Sequence, residues 1–298
     1  MSTMVRPAHW RDRMINFGAR NLVRPSLALP VPWSVHRAGF AMGGVMRPRA
    51  PGVTTQEVEI AGRPALIHRT ENPKRRLLWM HGGGFTVGSP WTHAGLCSHL
   101  ALEADAAIIC PSYRRAPEHP FPAAFDDALA ALKEAEGIET ALGPLALGGD
   151  SAGGCLILSA MAQRLREGAR YATLLLSSPA GFIDGTRPIP PEARDLLFPI
   201  SILRRIARDY AGNADPRDPR LSPIFERFEH APPTLIHCVT EELLAEDSEK
   251  LEARMREDGV DVHLEKFSGA PHAFHFMAGA SPRANAALRR LVAFWTER

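Results

Sequence analysis

The chain has 298 residues, 45% hydrophobic and 23% charged, the composition of a folded globular protein and a poor one for disordered or fibrous chains. Its 35 basic and 33 acidic residues leave a formal charge of +2, so the total gives no electrostatic case for nucleic acid or an anionic membrane. Cys97, Cys110, Cys155 and Cys238 form no Cys-x-x-Cys pair and read as free thiols in a reducing compartment, and neither cysteines nor histidines have ligand spacing, so no cofactor and no metal is expected.

Residues 1 to about 50 mix Trp10, Phe17, Trp33 and Phe40 with several prolines, and read as the N-terminal part of a cap. Charges in every short window of the first twenty residues exclude the apolar core of a secretion signal, and no stretch approaches the ~18 apolar residues of a membrane span. A soluble, cytoplasmic protein is expected. Residues 51–298 read as the main domain. It opens with a hairpin of Thr54–Ile60 and Pro64–Arg69 around Ala61-Gly62-Arg63. Lys74, Arg75 and Arg76, between Asn72-Pro73 and an apolar run, read as a solvated loop.

From residue 76, short apolar runs alternate with helical patterns, which predicts a mostly parallel sheet flanked by helices. The strands expected are Arg76–Met80, Ala106–Cys110, Leu145–Gly148, Ala172–Ser177, Thr234–Val239 and Val262–Phe267. The helices are Pro90–Glu103, Ala123–Glu136, Ala152–Glu167, Ser248–Asp258 and Pro282–Thr296. A proline- and arginine-rich stretch, about 183–225, breaks the alternation and reads as a cap insertion.

Three places carry chemistry. His81-Gly82-Gly83-Gly84-Phe85 follows the first strand, where glycines let backbone N–H groups turn towards a ligand; Gly83 and Gly84 are the candidate oxyanion donors. Gly149-Asp150-Ser151-Ala152-Gly153 lies between strand and helix, the context of a nucleophile elbow, with Ser151 as nucleophile and the Ala152 N–H completing the oxyanion hole. A plain glycine-rich turn is the alternative, whereas a phosphate loop fails because no Gly-Lys-Ser/Thr follows. His272, in the loop after the last strand, sits where the base should come in chain order, with His275 as its rival and His68, His230 and His237 as surface or core imidazoles.

These motifs, with Ser112-Tyr113-Arg114-Arg115-Ala116-Pro117-Glu118-His119-Pro120-Phe121-Pro122-Ala123 and Gly269-Ala270-Pro271-His272-Ala273-Phe274, resemble the hormone-sensitive-lipase-like carboxylesterases, the bacterial family IV esterases of the α/β-hydrolase fold. The resemblance covers roughly residues 55 to 298 and implies a catalytic domain at 51–298. Tyr113–Ala123 looks like a loop supporting the elbow and the oxyanion loop, with Arg115 where leucine is usual and Arg114 expected to pair with Glu118. The resemblance places the triad acid after the penultimate strand, at Glu242, with Glu241 and Asp247 as alternatives. Aspartate is commoner there, and the usual glycine is lacking.

A serine carboxylesterase acting on short-to-medium acyl esters through an acyl-enzyme on Ser151 is therefore expected. A non-hydrolytic small-molecule binder, or an amidase, peptidase or dehydratase using the same triad, is the alternative. Trp10, Phe17, Trp33, Phe182, Leu196, Leu197, Phe198 and Leu203 are candidates for an apolar acyl pocket or for cap core. The resemblance also allows a homodimer through the last sheet edge.

Overall fold

Leu145–Asp150 is buried at every position, as a strand covered on both faces must be, and it forms the middle of an eight-stranded sheet. The computed structural model describes residues 9–186 and 193–298. Its strands are β1 (Thr54–Ile60), β2 (Arg63–Arg69), β3 (Arg75–Met80), β4 (Ala106–Pro111), β5 (Leu145–Asp150), β6 (Leu174–Ser177), β7 (Thr234–Val239) and β8 (Val262–Phe267), in the order β1-β2-β4-β3-β5-β6-β7-β8. β2 pairs antiparallel with β1 and β4; every other pairing is parallel. The β1–β2 register sets Ile60 opposite Arg63, so the hairpin turns on two residues, Ala61-Gly62, both at positive φ.

The helices are α1 (Trp10–Gly18), α2 (Arg24–Leu27), α3 (Trp33–Val45), α4 (Ala94–Ala104), α5 (Ala123–Ala135), α6 (Ala152–Arg166), α7 (Ile200–Ala211), α8 (Ala245–Glu257) and α9 (Pro282–Thr296), with a π-helical turn, Ala19–Val23, joining α1 to α2. Strand alternation divides the core. Leu78 and Met80 of β3 join residues of α5, α6 and α8, whereas Leu77 and Trp79 join residues of α4 and α9. Chain reversals after β3, β5, β7 and β8 therefore gather at the carboxyl ends of the parallel strands, where sheets of this kind bind ligands.

The two cap segments meet each other. Trp33 Nε1 on α3 donates to Asp209 Oδ2 on α7 at 2.7 Å, and the Arg205 guanidinium lies 4.2 Å from the Trp33 ring. Part of the expected insertion, residues 187–192, lies outside the described residues.

Three expectations need correction. Arg75 and Arg76 belong to β3 rather than to a solvated loop, and Arg76 is buried because its fork donates to the carbonyls of Gly143, Glu136 and Ile138 beyond the end of α5. Arg114 pairs with Asp127 (2.8 Å), while Glu118 pairs with Arg37 of α3. Asp127, in the second turn of α5, also accepts the Arg114 backbone N–H, a two-point contact that Glu118 does not make. Among the pocket candidates, Trp10 and Phe17 point to solvent and Trp33 is cap core.

Candidate active site

Ser151 has φ 53° and ψ −120°, a strained backbone held between β5 and α6. Its N–H donates to Ser177 O (3.0 Å) and its carbonyl accepts from Ala180 N–H (3.0 Å), so the β6 loop clamps the turn on both sides. The turn leaves no room for side chains around it: a Cβ on Gly153 would lie 2.0 Å from Met80 O, and one on Gly149 2.7 Å from the Gly153 backbone. The glycines two before and two after the serine are thus required by backbone packing.

The β3 loop is shaped by Asp150. Its Oδ1 accepts from Trp79 Nε1 (3.0 Å) and Gly82 N–H (3.1 Å), and Oδ2 lies 3.3 Å from His93 Nε2. Burial alone would raise the Asp150 carboxyl, but the His93 contact and the Trp79 bond hold it below its ordinary value. Gly83 and Gly84 follow with φ of 123° and 56°. Gly82 is occupied with Asp150, whereas the N–H groups of Gly83, Gly84 and Ala152 meet no protein acceptor among the described residues. Tyr113 supports this loop from the expected segment: its hydroxyl donates to His81 O (3.0 Å) and its ring stacks on His81 at 4.2 Å. Ala116 N–H donates to Phe85 O and Arg115 to Gly88 O.

His272 and Glu242 meet directly, Nδ1 to Oε2 at 2.9 Å, both buried. Glu242 Oε1 accepts from Val239 N–H (3.3 Å). Burial would lower the His272 pKa, but the Glu242 carboxylate, with Asp195 and Asp150 behind it, holds it above the ordinary 6.5. Burial likewise raises the Glu242 carboxyl, and the His272 contact pulls it back. His272 Nε2 is buried without a hydrogen-bond partner among the described residues. Ala273 N–H donates to Ser178 Oγ (3.2 Å), which anchors the His272 loop on the segment that clamps Ser151.

The rivals are engaged elsewhere. Glu241 accepts from Gly269 N–H (3.2 Å), and Asp247 accepts from Gly181 and Phe182 N–H. His275 lies between Ser177 Oγ (2.6 Å) and His237 Nδ1 (2.9 Å), and burial holds its pKa well below the ordinary value.

Ser151 and Ala152 open into a cavity of about 50 Å³ lined by Gly84, Phe182, Phe198 and Leu203 among others. The Phe198 ring lies 4.8 Å from the His272 ring. Asp195 fixes this part of the cap: it accepts from Leu197 and Phe198 N–H (2.7 and 2.8 Å) and from Leu243 N–H (3.0 Å), next to Glu242. Sequence reasoning gave no role to Asp150, Ser178 or Asp195. Asp150 lies inside the Gly-Asp-Ser-Ala-Gly motif, which could have drawn attention to it; Ser178 and Asp195 carry no such signal.

A family model described as alpha/beta hydrolase fold matches residues 77–276. An acetyl-hydrolase of Streptomyces hygroscopicus is 35% identical over 74% of this chain and 75% of its own length. The putative acetyl-hydrolase LipR of Mycobacterium tuberculosis is 32% identical, covering 82% of this chain and 81% of its own. Among solved structures, EstE5 soaked with ethyl alcohol superposes with a TM-score of 0.88 at 29% identity, over 97% of this chain and 99% of that one. A hormone-sensitive lipase from a metagenome library gives 0.86 at 29% identity over the whole of both chains.

Proposed function

The chain belongs to the α/β-hydrolase fold family, among its hormone-sensitive-lipase-like carboxylesterases, and is an ester hydrolase; from that premise we propose a mechanism and a substrate class. Ser151 Oγ attacks the ester carbonyl carbon while His272 Nε2 takes its proton. Negative charge that develops on the carbonyl oxygen is held by the N–H groups of Gly83, Gly84 and Ala152, a preorganised set that needs no rearrangement as the charge forms. His272 then returns the proton to the leaving alkoxide oxygen, which leaves the acyl group on Ser151. Water attacks the acyl carbonyl by the same route in reverse, giving its proton to His272 and releasing the acid. Glu242 fixes the proton on Nδ1, so that Nε2 is free to accept, and stabilises the imidazolium.

The 2.9 Å contact between buried Glu242 and His272 carries this reading, because it makes His272 a base whose reacting nitrogen is unencumbered. The small apolar cavity beside Ser151 favours short-to-medium acyl groups. β8 ends the sheet with a free edge, which suits pairing with a second copy, and four buried, unpaired cysteines suit a reducing cytoplasm. No helix among the described residues is long and apolar enough to cross a membrane. Ser151→Ala should abolish hydrolysis of p-nitrophenyl acetate with an unchanged circular dichroism spectrum. Full activity in that variant would contradict the mechanism.

A further inference from the structure

The total charge of +2 conceals a segregated one. Residues 1–50 carry eight arginines, no lysine and one acid, Asp12, leaving 27 basic against 32 acidic residues in the rest of the chain. The acid does not offset the arginines at the surface, because Asp12 is buried and accepts a hydrogen bond from Ser281 Oγ. Arg11, Arg13, Arg20 and Arg24 are exposed and form no ion pair among the described residues.

α1 is inverted relative to an ordinary surface helix. Its inward face is Asp12 and Asn16, continued by Ala19 of the π-helical turn; Asp12 meets Ser281 and Asn16 Nδ2 donates to Gly269 O at 2.7 Å, in the loop that leads to His272. Trp10, Met14 and Phe17, spaced by four and three residues, share the opposite face and are 58%, 63% and 62% exposed. Arg13 borders that stripe. Leu22 and Val23 continue the exposure along the same helical segment. Val35 and Met42 of α3, with Met46 just past its end, repeat the exposed apolar stripe, spaced by seven and four. Of the thirteen large hydrophobic side chains exposed among the described residues, ten fall between Trp10 and Met46. Scattered apolar residues need no explanation, but a cluster of this density marks a surface that something covers.

We infer that the N-terminal helices are a docking surface for an anionic phospholipid bilayer. Aromatic and aliphatic side chains bordered by arginines match an interface whose headgroups are negative and whose acyl region begins a few ångströms below. A second copy seated on the same face would bring two strongly basic segments together, so charge selects the lipid over self-association. The polar inward face holds the helix on the base loop, so binding would bring the catalytic opening close to the bilayer rather than leave it on a remote tail. The docking does not depend on Ser151 being the nucleophile.

Co-sedimentation of the full chain with vesicles tests this, comparing equimolar phosphatidylcholine and phosphatidylglycerol with phosphatidylcholine alone at physiological salt. The wild type should bind the anionic vesicles, should bind the neutral ones weakly, and should be released by high salt. Met14→Glu with Phe17→Glu should lose binding. Arg13→Glu with Arg20→Glu and Arg24→Glu should weaken it by about a hundredfold or more, since each arginine near such a surface contributes about fivefold. Both variants should keep the wild-type rate on soluble p-nitrophenyl acetate and the wild-type circular dichroism spectrum, which separates lost docking from lost folding. The inference is overturned if the wild type does not sediment with anionic vesicles or if both variants still do. It is also overturned if the Met14/Phe17 variant only converts a dimer to a monomer, with vesicle binding unchanged.

Discussion

Glu242→Gln keeps the size of the proposed triad acid and removes its charge, and the structure determines how the amide should settle. Val239 N–H donates to Oε1 and can be satisfied only by the amide oxygen. That orientation turns the NH₂ group towards His272 Nδ1, so the imidazole must accept there and carry its proton on Nε2, the tautomer that cannot take a proton from Ser151. Flipping the amide to recover the right tautomer would set a buried N–H against an NH₂, at a cost of about 1–3 kcal/mol. Loss of the charge-assisted bond to the imidazolium adds about 2–3 kcal/mol. Together these correspond to a fall in kcat of about 10²–10⁴. Steady-state hydrolysis of p-nitrophenyl acetate measures it, with thermal melting as the control for folding.

The pH profile provides a second readout of the same change. His272 must be neutral to act, so activity rises as pH passes its pKa, which Glu242 holds above 6.5. Without the carboxylate that upward pull is gone and burial dominates, so the acid limb of the residual activity should move to lower pH. A variant within tenfold of wild-type kcat, with its acid limb unmoved, would refute the reasoning and return Glu241 or Asp247 to consideration.

Gly153→Ala should be more damaging than its single methyl suggests, because the Cβ would sit 2.0 Å from Met80 O and backbone must move. We expect a loss of about 1–3 kcal/mol in denaturant titration, with activity falling further than stability as the elbow shifts. Asp195→Ala removes the acceptor shared by Leu197, Phe198 and Leu243, so both the Phe198 wall and the loop carrying Glu242 should loosen. Stability should fall by about 2 kcal/mol. kcat/KM should fall by about tenfold or more, with an increased KM, as progress curves over a range of substrate concentrations would reveal.

Much of the fold was readable because strands in a doubly covered parallel sheet are short apolar runs, and helices between them keep their period. Leu145 to Gly148 and Thr234 to Val239 are legible in this way. The elbow was readable for a steric reason: Gly149 and Gly153 face backbone at distances no side chain tolerates, so the motif is written by the packing itself. Arg76 was misread because its acceptors, carbonyls beyond the end of α5, are some sixty residues away and invisible to local pattern. Arg114 and Glu118 are close in sequence, but each found a partner on another element, Asp127 on α5 and Arg37 on α3. The cap was least legible. Its first helix, α1, reverses the usual polar-out arrangement, so Trp10 and Phe17 read as pocket or core residues although both face solvent, whereas α7 keeps that arrangement, with Ile202, Ile206 and Tyr210 buried.

The central claim is that Ser151 is the covalent nucleophile activated by His272, and active-site labelling tests it most directly. Incubation with a fluorophosphonate, followed by intact-mass measurement and peptide mapping, should give one adduct on Ser151 in step with loss of esterase activity. His272→Ala should label at a small fraction of the wild-type rate. Complete inactivation with the adduct on another residue, or undiminished labelling of Ser151 without His272, would contradict the account.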